Sequence, residues 1–152
     1  MKKFTIMLFL LCLVSVTSYS QGCREFTLWK GCLQKVKNYT VYQQPKTSEI
    51  GINDTLKYHV VFYGNMDYVI SFCAIRYYYP IHVKLLKEDT NEQIYDNATD
   101  DYYESIGIGF YKTQNIILQI TLLADKLGDK KIKSNDRACI GMATFCKKII
   151  LK

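Results

Sequence analysis

Cysteines, two histidines and a knot of acidic residues are the groups in this 152-residue chain that could do chemistry. A cysteine acts as a nucleophile when a base lies within hydrogen-bond reach and its surroundings lower the thiol pKa. Cys73 sits in the apolar run DYVISFCAIRYYYP. An apolar setting raises a thiol pKa, so Cys73 reads as structural. The bases to hand are His59 and His82, and each alternates toward the strand side that carries Lys57 or Lys84, which reads as a solvated face. No Cys-x-x-Cys redox pair occurs. In YDNATDDYYE, Asp96, Asp100, Asp101 and Glu104 supply the hard oxygens that calcium prefers. Their spacing matches no EF-hand loop, and acidic residues beside a turn chiefly solvate it, so they stand as candidates only and no cofactor is expected. No Gly-x-Ser-x-Gly elbow, His-Glu-x-x-His helix or phosphate loop is present. Carboxylate pairs for glycoside cleavage meet only in space, which keeps a hydrolase assembled from separate strands as an alternative.

Tyrosine is the unusual side chain, with 13 in the chain. Tyr77, Tyr78 and Tyr79 are consecutive, so strand alternation must turn at least one to solvent, and Tyr102 with Tyr103 repeats the situation beside the acidic loop. Exposed rings of this kind can stack on sugars or form a protein-contact patch, although tyrosine also has high β propensity and often finishes strand ends.

The elements that would position these groups follow a leader. Lys2 and Lys3 precede the apolar stretch Phe4 to Val16, and Ser18 and Ser20 provide small residues at the spacing a signal peptidase needs. Residues 1–20 are therefore expected to be removed, leaving 21–152 as one domain. Its cysteine count is odd, and export invites disulfides. Lipidation of Cys23 fits poorly, because Ser20 and Gln21 stand where a lipoprotein signal needs other residues. The formal charge of +6 drops by two with the leader. What remains has no basic stripe with stacking platforms, so nucleic acid is not an expected partner, and no transmembrane segment is expected after cleavage.

From about residue 24 to 38, Phe26, Trp29, Leu33 and Val36 recur at helical spacing, and QQPKTSEIGINDT then reads as a connector. Beyond it the period becomes two. LKYHVVFY alternates, GN at Gly64–Asn65 signals a turn that should return the strand Tyr68 to Tyr77 antiparallel beside it, and IHVKLLK, QIYDN, SIGIGF, NIILQITLL and ACIGMATFCKKIIL follow as strands. Seven or eight short strands favour a mostly β, antiparallel β-sandwich with a short N-terminal helix. If the last strand is continuous, Cys139 and Cys146 are about 23 Å apart and cannot pair. A helix between Cys23 and Cys32 would separate them by about 13 Å, whereas a frayed one would let them join.

The succession of a Cys-bearing N-terminal helix, FYGNMDYVISFC, IYDN, YKTQNIILQITL and ACIGMATF resembles a group of small exported single-domain proteins of Bacteroidota type. The likeness covers nearly all of the mature chain, and the group has no established activity to transfer. Cys73 and Cys139 match its two strand cysteines, so the resemblance implies that they pair. The closed loop would stabilise by roughly 4 kcal/mol in the chain-entropy model. Cys146 is then free or joined to Cys23 or Cys32. The strand order also resembles the jelly-roll accessory domains of secreted peptidases, of pre-peptidase C-terminal type. DTL at Asp54–Leu56 resembles an O-glycosylation signal of exported Bacteroidota proteins, with Thr55 as acceptor. Asn38, Asn53 and Asn97 head Asn-x-Thr triplets, which in a bacterial chain read as chance.

Together these features imply an exported, non-enzymatic binding or interaction module of the cell envelope, in the periplasm, at the surface or secreted. Its partner would be a glycan or an envelope protein. A structural surface lipoprotein is a third alternative.

Overall fold

The computed structural model describes residue 23 and residues 36–75, 78–123 and 136–149. They form eight strands: β1 Thr40–Gly51, β2 Thr55–Phe62, β3 Met66–Ala74, β4 Ile81–Lys87, β5 Gln93–Asp96, β6 Ser105–Phe110, β7 Gln114–Leu122 and β8 Arg137–Lys148. A 3₁₀ turn, Asn97–Asp100, separates β5 from β6. Two four-stranded antiparallel sheets result, in the orders β1-β8-β3-β6 and β2-β7-β4-β5.

Alternation along the strands supplies one core shared by both sheets. Tyr68, Ile70 and Phe72 of β3 meet Val60 and Phe62 of β2, Val83 and Leu85 of β4, and Ile116, Leu118 and Ile120 of β7. The Phe62 ring lies 4.7 Å from Tyr68 and 5.0 Å from Phe110, which links the two sheets through aromatic contacts. The buried Tyr68 hydroxyl accepts from the Tyr63 N–H at 2.8 Å and donates to the Tyr63 carbonyl at 3.2 Å, so its polar end is satisfied.

Several sequence expectations are corrected. Most of the predicted helix at 24–38 lies outside the described residues. Its last residues form a turn, with the Tyr39 N–H donating to the Val36 carbonyl and Asn38 at φ 67°. The polar segment read as a connector is mostly β1. It lies at a sheet edge, where Pro45 is tolerated because its missing N–H need not face a neighbour, and two register shifts flank Gln43. β2 and β3 are not a hairpin. Both turn an apolar face to the same core, and Tyr63–Asn65 carries the chain from one sheet to the other. Gly64 is required there, since a Cβ would stand 2.8 Å from the Tyr111 carbonyl oxygen and 2.9 Å from Lys112 Cα. β3 stops at Ala74, short of Tyr77, and the Tyr79–Pro80 peptide is cis before β4 begins.

The disulfide pairing is also different. Cys139 is bonded to Cys23, with Cα atoms 5.3 Å apart, and Cys146 is free and buried. Cys73 is also disulfide-bonded, and not to Cys139. Cys73 and Cys139 do share the outer face of the first sheet, but the register puts Cys73 opposite Gly141. Cys139 is therefore a diagonal neighbour, and diagonal Cα atoms stand about 7–8 Å apart, too far for a bridge. Cys32 lies outside the described residues. With its sulfur bonded to Cys139, Cys23 has no atom left for a lipid thioether, which removes the lipoprotein alternative.

Candidate functional site on the outer face of the second sheet

The outward side chains of β2, β7, β4 and β5 form two polar rows across the second sheet. Lys57, Gln119, Lys84 and Asp96 are successive cross-strand neighbours, and Thr55, Thr121 and His82 are the next row. Thr55, His82, Lys84, Gln119 and Thr121 line a depression of about 220 Å³. β4 and β7 are central strands whose inward residues are fully buried, so this floor is rigid.

Asp96 anchors one side of the depression. Its Oδ1 accepts from the Ala98 N–H at 2.9 Å, capping the 3₁₀ turn, and lies 2.8 Å from His82 Nε2. Lys84 Nζ stands 3.4 Å from its other oxygen. Burial would push the Asp96 carboxyl up, but the Ala98 N–H, His82 and Lys84 outweigh it and hold the group below the ordinary carboxylate range. The Tyr102 ring meets the His82 ring edge-on at 5.7 Å. His82 is thus half-buried and fixed, at 21 % side-chain exposure, unlike His59, which is 62 % exposed and lies 2.6 Å from Glu88. The expectation of a solvated histidine holds for His59 and fails for His82.

The anchored groups leave others unused. Among the described residues, Lys57 Nζ, the Gln119 amide and His82 Nδ1 have no hydrogen-bond partner, and the Thr55 and Thr121 hydroxyls bond only each other, at 3.1 Å. The face therefore offers the unengaged Lys57 ammonium, the Lys84 ammonium that it shares with Asp96, an amide, an imidazole acceptor and two hydroxyls to a ligand. A larger groove of about 720 Å³ runs between Lys87–Asp89 and Thr113–Asn115. Several of its polar groups already close loops: Lys87 binds Glu92, Glu88 N–H binds the Asn115 carbonyl, and Thr113 accepts from Gly64. The smaller depression holds more unengaged chemistry.

The remaining sequence candidates disperse. Asp100 accepts from the Tyr95 hydroxyl at 2.8 Å, Asp101 and Glu104 are exposed, and among the described residues no three His, Cys, Asp or Glu side chains could hold a metal. Tyr77 lies outside the described residues. Tyr78 and Tyr79 pack against the core, the Tyr79 hydroxyl accepts from the Ala74 N–H, and burial pushes its pKa up, so neither forms an exposed patch. Alternation ceased at Ala74, and with it the reason to expect exposure. Tyr102 packs on His82, and Tyr103 alone of the described members of that group is strongly exposed. Tyr63 and Tyr111, which the sequence reading passed over, are also exposed, because both sit in loops just past a strand end. Thr55 opens β2 on the lip of the depression, so a sugar on its hydroxyl and a ligand beneath it would exclude one another.

Asn97 is the residue most undervalued by sequence. It is wholly buried: its Oδ1 accepts from the Val83 N–H at 2.8 Å, and its Nδ2 donates to the Ile81 carbonyl at 2.9 Å and the Tyr103 carbonyl at 3.2 Å. It ties the 3₁₀ turn to β4 and so holds Asp96 against His82.

The class of molecule is thus a mostly β, two-sheet domain with a polar sheet face. No family model and no curated protein matches the chain. Among solved structures it is similar to the crystal structure of Aeromonas hydrophila PliG, a periplasmic lysozyme inhibitor of g-type lysozyme. The two are 11 % identical over 76 % of this chain and 93 % of that one, with a TM-score of 0.49. At that distance the likeness carries no functional argument. No helix among the described residues is long and apolar enough to cross a membrane.

Proposed function

We propose that the chain is an exported, non-enzymatic binding module of the cell envelope, and that it takes an acidic, hydroxylated glycan on the outer face of the second sheet. The observation that carries this reading is a set of unpartnered polar groups on a rigid sheet: the Gln119 amide and the His82 Nδ1 acceptor in a shaped depression, with the Lys57 ammonium beside them across from Gln119. Ammonium groups suit carboxylates, while amide and hydroxyl groups suit ring hydroxyls. The Cys23–Cys139 bond supports an oxidising compartment. Pairing of β1 with β8, β2 with β7, β3 with β6 and β4 with β5 is the order of one long hairpin rolled into two sheets, which supports a jelly-roll topology. The Bacteroidota-type resemblance belongs to the same proposal.

Calorimetric titration with uronic-acid and neutral oligosaccharides tests it. Binding of the acidic set is expected, weakened about tenfold or more in Lys84→Met. Equal binding of both sets, or none of either, refutes it.

The His82–Asp96 pair favours a second reading, a hydrolase with His82 as base. A nucleophile would have to bond Nδ1, and among the described residues no hydroxyl or thiol does. Turnover of an ester or glycoside that is lost in His82→Gln would establish this second reading.

A further inference from the structure

Three of the four sheet edges carry a device against strand addition. β1 is interrupted by two register shifts around Gln43 to Lys46. β2 is screened by Tyr42, whose hydroxyl donates to the Val61 carbonyl, and by Lys46 and Ser48 against Tyr58. β5 is four residues long. Short edges, bulges and covering side chains are the usual protections. β6, SIGIGF, has no charge, no proline and no register shift against β3.

Its free backbone groups can be assigned. The Phe72 N–H donates to the Glu104 carbonyl at 2.8 Å, and the register continues with Ile70 opposite Ile106 and Tyr68 opposite Ile108. Residues 106, 108 and 110 therefore turn their backbone groups to β3, and Ser105, Gly107 and Gly109 turn theirs outward. All three outward residues are exposed, and among the described residues nothing meets their outward N–H and C=O groups. A Cβ at Gly107 would find no atom within 4 Å.

We propose that β6 is a self-association edge, at which two copies of the chain pair antiparallel about a two-fold axis through Gly107 and merge two four-stranded sheets into one. The occupant is argued from symmetry. An antiparallel strand paired with itself forms an isologous contact. With Gly107 on the axis, Ser105 faces Gly109 of the second copy and Ile106 faces Ile108. Tyr103 and Tyr111 lie just beyond the two ends of β6, four residues either side of Gly107, so each end of the paired ladder brings Tyr103 of one copy near Tyr111 of the other; among the described residues these are the most exposed large apolar side chains, at 69 % and 70 %. Glu104 falls diagonally from Lys112 of the second copy, within reach of long side chains. A foreign strand would have no reason to match tyrosines placed equally to either side of Gly107. The glycan face lies on the other sheet, so the two proposals stand or fall separately.

Sedimentation velocity on the oxidised mature chain is expected to show a reversible monomer–dimer equilibrium. Gly107→Lys sets two ammonium groups against each other on the axis and is expected to weaken the dimer at least about tenfold, with an unchanged urea midpoint as the folding control. Hydrogen-bonded antiparallel pairs have Cα atoms about 5.5 Å apart, within disulfide range, so Gly107→Cys is expected to crosslink two copies through the new residue. Ser105→Cys, which faces Gly109 and not itself, is expected to stay uncrosslinked. A monomer up to about 1 mM, a dimer indifferent to Gly107→Lys, or equal crosslinking of both cysteine variants overturns the proposal.

Discussion

Replacing Asn97 with alanine removes three hydrogen bonds at one point, to the Val83 N–H and to the Ile81 and Tyr103 carbonyls. Two of those bonds are buried, and each orphaned buried group costs about 1–3 kcal/mol, so the loss should be about 2–6 kcal/mol. That is a large share of the roughly 5–15 kcal/mol that holds a domain of this size. Urea unfolding followed by tyrosine fluorescence is the assay. With a mid-range slope of about 2 kcal/mol per molar, the midpoint should fall by about 1–3 M. Asn97→Asp keeps an acceptor for Val83 but sets a carboxylate against two carbonyls. It should be as destabilising at neutral pH and should recover on acidification, because the folded state raises that carboxyl's pKa and the protonated form can donate. A loss below about 1 kcal/mol for Asn97→Ala would refute the claim that this side chain ties the 3₁₀ turn to β4.

Cys139→Ser opens a crosslink spanning 116 residues and should lower stability by about 2–5 kcal/mol in denaturant melts run without reductant; an unchanged midpoint counts against it. The Asp96 carboxyl is held below its ordinary 3.8, so its stabilising contribution is complete above that value and is lost as pH falls through the lower folded value; Asp96→Asn should flatten the acid limb of the pH–stability profile. Tyr95 is pushed up to about 12 by burial and by its bond to Asp100, and Tyr42 likewise by burial and its tyrosine neighbours, so ultraviolet titration of Tyr95→Phe should show one late-ionising tyrosine fewer than the wild type, and an equal count contradicts this. Gly64→Ala should force the Tyr63–Asn65 and Tyr111–Lys112 backbones apart and lower the melting temperature by several degrees, and an unperturbed melt would contradict that close approach.

Strands with one buried and one wet face were legible because the period of two is written in their side chains: Leu56 to Phe62 against Lys57 and His59, and Ile81 to Leu85 against His82 and Lys84. β1 was not, since an edge strand held mainly by its ladder to β8 can carry Pro45 and polar residues on either side. The Gly64–Asn65 turn was read correctly as a turn. Turn chemistry is the same whether the next strand pairs with the last or crosses to the other sheet, and only the distant partners β6, β7 and β8 decide which. Cys73 and Cys139 were legible as strand cysteines, but the adjacency of β3 and β8 was not, nor the two-residue offset in their register that decides between a bridge and none. The candidate site was half visible. Lys57, His82 and Lys84 were recognised as outward-facing, but the strand order β2-β7-β4-β5 is what inserts Gln119 and Thr121 between them. Asn97 looked like a loop residue because nothing local signals that its side chain satisfies the backbone of β4.

Backbone amide NMR during titration with an acidic oligosaccharide tests the central claim most directly. Saturable shifts centred on Thr55, Lys57, His82, Lys84, Gln119 and Thr121, and lost in Lys84→Met, are the predicted result. Saturable shifts centred instead on the Tyr63 and Tyr111 loops, or none anywhere, would contradict it.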